Sequence, residues 1–203
     1  MLDPRSQGRN SVSQAVQEQL QGLSIFLVGM MGAGKSSVGQ LLAQVLGYQF
    51  FDTDRVIEQA AGCSIAEIFE RDGEDGFRAL ETQVLAELAG YRRLVIATGG
   101  GIVTRPMNWS HLRHGMVVWL DVPAAELVER LQRDPLTASR PLLQTDDPIA
   151  TLTQLLGDRR ELYAQADICV MPEPGESAGR TAERVLALLP TMIKEPTAPV
   201  SPA

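Results

Sequence analysis

The chain has 203 residues, 44% of them hydrophobic, and a formal net charge of -7. That length and apolar fraction suit one globular domain with a core of its own. The acidic balance argues against nucleic acid or an anionic membrane surface as a general partner, and no apolar run reaches the length that spans a bilayer.

In chain order, residues 1–20 contain Asp3 and Glu18 and lack an apolar stretch, so they do not read as a secretory signal. Only Val12, Val16 and Leu20 fall at helical spacing there, and the segment is expected to be a flexible extension. Ser24–Val28 is a strand candidate, followed by a glycine-rich run and a helical pattern over Lys35–Leu46. Tyr48–Phe51 is the next strand and ends at Asp52-Thr53-Asp54. Helical patterns follow over Arg55–Ala61, Ser64–Glu70 and Glu74–Ala89, then a strand over Leu94–Ala97 that runs into Thr98-Gly99-Gly100-Gly101. Met116–Leu120 reads as a strand and Pro123–Arg133 as a helix entered through proline. The polar, proline-interrupted connection Asp134–Pro148 precedes a helix over Pro148–Ala164, a strand over Ile168–Met171 and a helix over Ser177–Leu189. The tail from Pro190, with Pro196, Pro199 and Pro202, is expected to be disordered. Cys63 and Cys169 form no metal-ligand pattern and read as reduced thiols of a cytoplasmic protein.

Short apolar strands alternating with helices predict parallel pairing through right-handed crossovers. The expected fold is therefore α/β in three layers, a five-stranded parallel sheet flanked by helices over residues 21–189, with a lid. In such a sheet ligands collect at the carboxyl ends of the strands.

The segment from Gly29 to Ser36, GMMGAGKS, has the form G-x-x-x-x-G-K-[ST] after a strand and before a helix, the context a P-loop requires. Gly32, Ala33, Gly34, Lys35, Ser36 and Ser37 are the candidate triphosphate cradle, with backbone N–H groups turned inward and the helix N-terminus adding its positive dipole end. Lys35 can reach the β- and γ-phosphates and the Ser36 hydroxyl can ligate Mg²⁺. Asp52 and Asp54 would share a face if the strand continued: one acid could help hold Mg²⁺ and the other could accept a hydrogen bond from a substrate hydroxyl, unless Asp54 caps the next helix. Gly99–Gly101 suggests close approach of a ligand to backbone, or else a tight turn. Arg78 and Arg159 are ambiguous singly, and Arg160 would face about a hundred degrees from Arg159. Arg140 lies in the long connection, where a lid can carry an arginine onto a transferring phosphate. Met30 and Met31 read as packing residues, and His111 and His114 as surface residues near a helix end.

From about Ile25 to Leu189 the ordered set GMMGAGKSSVG, FFDTD, IFERDGEDGFR, ATGGG, SRPLL and R-x-E-L-Y resembles shikimate kinase. The resemblance implies transfer of the γ-phosphoryl of ATP, with Mg²⁺, to the 3-hydroxyl of shikimate, in the route to chorismate and the aromatic amino acids. It implies that Lys35, Asp54 and Arg140 are catalytic, with Asp54 binding the shikimate hydroxyls and serving as candidate base. Ser36 and Asp52 would serve the metal, Asp52 from the second shell. Arg78 and Arg159 would hold the shikimate carboxylate, Gly100 would receive the ring, and Arg140 would close over the nucleotide. Small-molecule substrates, no nucleic acid or membrane partner and a monomer are expected. One departure stands out: family members often have R-x-P-L-Y, and here Glu161 takes the proline position. Two other readings remain open from the residues alone. One is another small-molecule kinase, for gluconate or a nucleoside monophosphate. The other is a nucleotide-binding module without catalysis.

Overall fold

A computed structural model describes residues 14–133 and 147–192. Residues 14–20 form a first helix, α1. The chain continues as β1 (Ile25–Val28), α2 (Lys35–Leu46), β2 (Gln49–Asp52), α3 (Thr53–Ala61), α4 (Ile65–Ala89) and β3 (Leu94–Ala97). A 3₁₀ turn (Ile102–Thr104) leads to α5 (Pro106–Leu112), β4 (Met116–Leu120), α6 (Ala124–Arg133), α7 (Pro148–Tyr163), β5 (Ile168–Val170) and α8 (Ala178–Met192).

Among the described residues the strands make one parallel sheet in the order β2-β3-β1-β4-β5. Every residue of β1, β3 and β4 is buried. Because successive side chains point to opposite faces, continuous burial means that both faces are covered by other elements. The five-stranded parallel sheet flanked by helices is the expected one. Its order decides the site: β2, β3 and β1 are neighbours, and Asp52 and Leu27 both lie in register with Ala97. Their carboxyl ends therefore finish side by side, and the three loops that leave them emerge at one edge of the sheet.

Three local differences from the sequence reading have physical causes. Residues 14–20 are not an extension: Val16 and Leu20 are 3% and 2% exposed and belong to the core, so the weak apolar stripe was a buried face. The helical patterns Ser64–Glu70 and Glu74–Ala89 join in α4, but Gly73 breaks it with φ 70 and ψ -174, a conformation that suits only glycine. Its start carries a capping box, in which the Ser64 hydroxyl accepts from Glu67 N–H at 3.3 Å while the Glu67 carboxylate accepts from Ser64 N–H at 2.7 Å. The short helix α5, opened by Pro106 at its first turn, has no long apolar stripe and escaped the periodicity argument. A fourth difference is that α8 runs to Met192 and includes Pro190, so the helix continues past the residue at which the disordered tail was expected to begin.

Candidate active site

The P-loop joins β1 to α2. Gly32 and Gly34 take φ of 78 and 88, left-handed values that let the loop fold back on itself. Gly34 stands at the N-cap of α2 and offers no side-chain cap, so the first N–H groups of the helix face the loop interior, a ready anion cradle. Lys35 is 8% exposed, and its ammonium donates to the carbonyls of Gly29 and Met30, each at 2.8 Å. The lysine charge is thus held against the loop it is expected to serve. Ser37 lies on the exposed side of α2.

Ser36 Oγ donates to Asp52 Oδ2 at 2.5 Å, which joins the P-loop helix to the end of β2. A hydroxyl and a carboxylate in contact beside a phosphate cradle fit Mg²⁺, which takes few protein oxygens and fills its octahedron with phosphate oxygens and water. Among the described residues no group of three or more His, Cys, Asp or Glu could hold a metal by itself. The aspartate that caps a helix is Asp52, which accepts from Asp54 N–H at 3.1 Å, whereas Asp54 sits in the first turn of α3. The capping alternative for Asp54 is thereby corrected. The strand ends at Asp52, so the two acids do not share a face by strand alternation; the strand-to-helix turn sets their relation.

The glycine loop after β3 is pinned on both sides. Thr98 donates to the Leu27 carbonyl from its backbone N–H at 3.1 Å and its hydroxyl at 3.0 Å. Gly99 N–H donates to Oγ1 of the buried Thr53 at 3.0 Å. The glycines have a steric reason. A Cβ on Gly99 would strike the Glu81 carboxylate and come within 3.0 Å of Asp54 Oδ1, and one on Gly101 would strike the Arg78 guanidinium. A Cβ on Gly100 would lie 3.2 Å from the P-loop N–H of Met31. Two of the three glycines therefore make room for the chain's own charged side chains.

Arg78 reaches this loop from α4. It donates to Glu81 Oε2 at 2.5 Å and to Glu74 Oε1 at 3.1 Å, with its guanidinium carbon 5.3 Å from the centre of the Phe77 ring. Burial works against the arginine charge, but Glu81 and Glu74 outweigh it and raise its pKa. Glu81 is 1% exposed; burial pushes its carboxyl above the usual carboxylate range, against the pull of Arg78, and nearby Asp54 adds to the rise. Glu81 was not singled out from sequence. The signal was present: it stands four residues after Phe77 and ahead of Val84, Leu85 and Leu88, an acid on the apolar face of a helix.

Arg159, on α7, donates to the Gly100 carbonyl at 3.2 Å and lies 4.0 Å from the Met30 sulfur. Arg160 points elsewhere, to Asp121 Oδ2 at 3.1 Å and over the Trp119 ring at 5.3 Å, as helical spacing required. Glu161 is exposed. Arg130 of α6, also unmarked in the sequence reading, reaches the P-loop at the Ala33 carbonyl at 3.3 Å and is held by Glu126 at 2.5 Å. Lys35, Ser36, Asp52, Asp54, Arg78, Gly100 and Arg159 are thus brought to one end of the sheet. Arg140 lies outside the described residues. His111 lies in the last turn of α5 and His114 follows that helix, leading into the amino end of β4, away from the cluster.

The arrangement pairs a cationic, amide-lined phosphate cradle with an acid and two arginines at the facing glycine loop. It can hold a polyphosphate in line with a hydroxyl on a carboxylated acceptor. A family model for shikimate kinase matches residues 31–190. The chain is 58% identical over 191 residues to a shikimate kinase of Synechococcus sp. strain RCC307, covering 94% of this chain and 96% of that one. It is also similar to the solved shikimate kinase from Acinetobacter baumannii in complex with shikimate, at 40% identity and a TM-score of 0.80, over 88% of this chain and 97% of that one. A gluconokinase from Sinorhizobium meliloti shares the fold alone, at 20% identity and a TM-score of 0.52 over 85% of this chain and 94% of that one.

Proposed function

The chain belongs to the shikimate kinase family and is a kinase acting on shikimate; we propose that it moves the γ-phosphoryl of ATP to the 3-hydroxyl with Asp54, Lys35 and the two arginines in the roles that follow. The observation that carries this reading is the meeting of the Asp54 carboxyl, the Arg78 guanidinium and the Arg159 guanidinium around Gly99–Gly101, beside the P-loop. Gly32–Ser37 cradles the phosphates, and Lys35 turns from its loop carbonyls to the β- and γ-oxygens, where its charge counters what develops on transfer. Ser36 would hold Mg²⁺ directly and Asp52 through water, and the ion would supply positive charge that offsets the charge on the phosphates.

Arg78 and Arg159 grip the acceptor carboxylate, Arg78 aimed by Glu81 and Glu74. Gly100 sits under the acceptor ring. Asp54 accepts from the attacking hydroxyl, orients it and takes its proton as the new P–O bond forms. The resemblance assigns Arg140, which lies outside the described residues, to the nucleotide. We read the enzyme as a cytoplasmic monomer; among the described residues no helix is long and apolar enough to cross a membrane.

The test is purified protein with ATP, Mg²⁺ and shikimate, followed by coupled ADP release, with gluconate in parallel. ADP release that depends on shikimate supports the reading. Equal release with gluconate overturns the acceptor assignment, and nucleotide binding without release under any acceptor returns the chain to a binding module.

A further inference from the structure

Tyr163 ends α7 and is 0% exposed. Its ring stacks on Trp119 of β4, with centroids 5.7 Å apart and planes 18° apart, so the side chain has one position. A buried hydroxyl needs a partner, and this one donates to the Gly100 carbonyl at 2.5 Å, with the Met30 sulfur of the P-loop at 3.5 Å. The same carbonyl accepts from Arg159, one helical turn earlier, at 3.2 Å. A carbonyl oxygen has two lone pairs, and here both are used. One donor is a fixed neutral hydroxyl; the other is a cation on a long side chain.

We infer that Tyr163 is a positioning residue for the acceptor: it keeps the Gly100 carbonyl satisfied so that Arg159 can leave it for the substrate carboxylate. The inference rests on the reading above in which Arg159 grips that carboxylate. With Arg159 as its sole donor the carbonyl would lose its partner whenever substrate bound, a cost charged against binding. With Tyr163 in place the transfer exposes no unpaired acceptor, and the glycine loop stays tied to α7 and the P-loop in both states. Burial pushes the Tyr163 hydroxyl up to about 12, so it remains a donor at any working pH.

The experiment is a double-mutant cycle of Tyr163→Phe and Arg159→Ala, with steady-state kinetics for shikimate and ATP. Wild-type turnover comes first, since its absence would sink the acceptor reading rather than the role of the tyrosine. Phenylalanine keeps the ring and its stacking, and all comparisons are made at a temperature where circular dichroism shows all four proteins native. In the Arg159 background, Tyr163→Phe should raise the KM for shikimate about three- to tenfold, the worth of one neutral hydrogen bond. The kcat and the KM for ATP should stay within twofold. In the Arg159→Ala background the same change should alter kcat/KM for shikimate less than twofold, because no donor then has to leave the carbonyl. An unchanged KM for shikimate, an equal rise for ATP, or additive effects around the cycle would overturn the inference and leave Tyr163 as a core residue.

Discussion

The two halves of the site are built on different plans. The proposed nucleotide side centres on one stretch, Gly29 to Ser37, shaped by backbone conformation at glycines and by the start of a helix. The acceptor side is drawn from α3, α4, the loop after β3 and α7, and depends on charged side chains that restrain one another: Arg78 by Glu81 and Glu74, Arg159 by Gly100. A cradle made of main chain tolerates change in the side chains around it. A grip made of mutually aimed charges loses aim when any one is altered, because a buried charge without its partner is costly. Changes on the acceptor side should therefore leave nucleotide binding intact; two substitutions test that separation, and two more probe the stability beneath and outside it.

The largest effect is expected where the halves meet. Asp54→Asn keeps size and removes charge, and should lower kcat by about 10²-fold or more at saturating shikimate while the KM for ATP holds; near-normal turnover would remove Asp54 as a base. Next, Arg78→Lys should raise the KM for shikimate about tenfold, through loss of a charge-assisted hydrogen bond in a bidentate grip, with the KM for ATP unchanged. A parallel rise in both constants would show that the halves are not separable.

Glu81→Gln probes the electrostatics beneath the grip. Burial raises the Glu81 pKa above the ordinary 4.5, so between that value and the raised one the folded protein binds this proton more tightly than the unfolded chain does. The stability linked to that proton is present in full below about pH 4.5 and is lost as pH rises through the raised folded value. Thermal melts from pH 4 to 8 should show that decline in the wild type and a flatter profile in Glu81→Gln. An identical slope in the two proteins would contradict a raised pKa. The smallest effect is a control outside both halves. Gly157 lies within α7, and a Cβ there meets no atom within 4 Å, so Gly157→Ala should gain about 0.5–1 kcal/mol of stability, seen as a higher melting temperature with unaltered kinetics.

The same contrast explains what could be read ahead of the coordinates. The P-loop was legible because its function resides in a fixed local spacing, and the strand segments because buried parallel strands are short apolar runs. The pairing of Ser36 with Asp52 was half legible: both were expected near the metal, but the cap went to Asp52 because the chain turns helical at Thr53, two residues sooner than the expected start at Arg55. Glu81 was overlooked because an acid three residues from an arginine usually means a solvated ion pair, and only the packing of α4 against its neighbours shows it 1% exposed. Tyr163 was marked only as the end of the R-x-E-L-Y motif, and its role had no local signal, since its partners lie 63 and 133 residues away.

By itself the sequence determined the P-loop motif, the alternation of strand and helix, and a family likeness carried by ordered motifs, all of which rest on neighbours along the chain. Tertiary structure decided that β2, β3 and β1 lie side by side, that the glycines at 99 and 101 clear space for Glu81, Asp54 and Arg78, and that one carbonyl serves both Arg159 and Tyr163. Those relations join groups distant in sequence, and local propensity carries no information about which buried charges will meet until the core has set the distances between them.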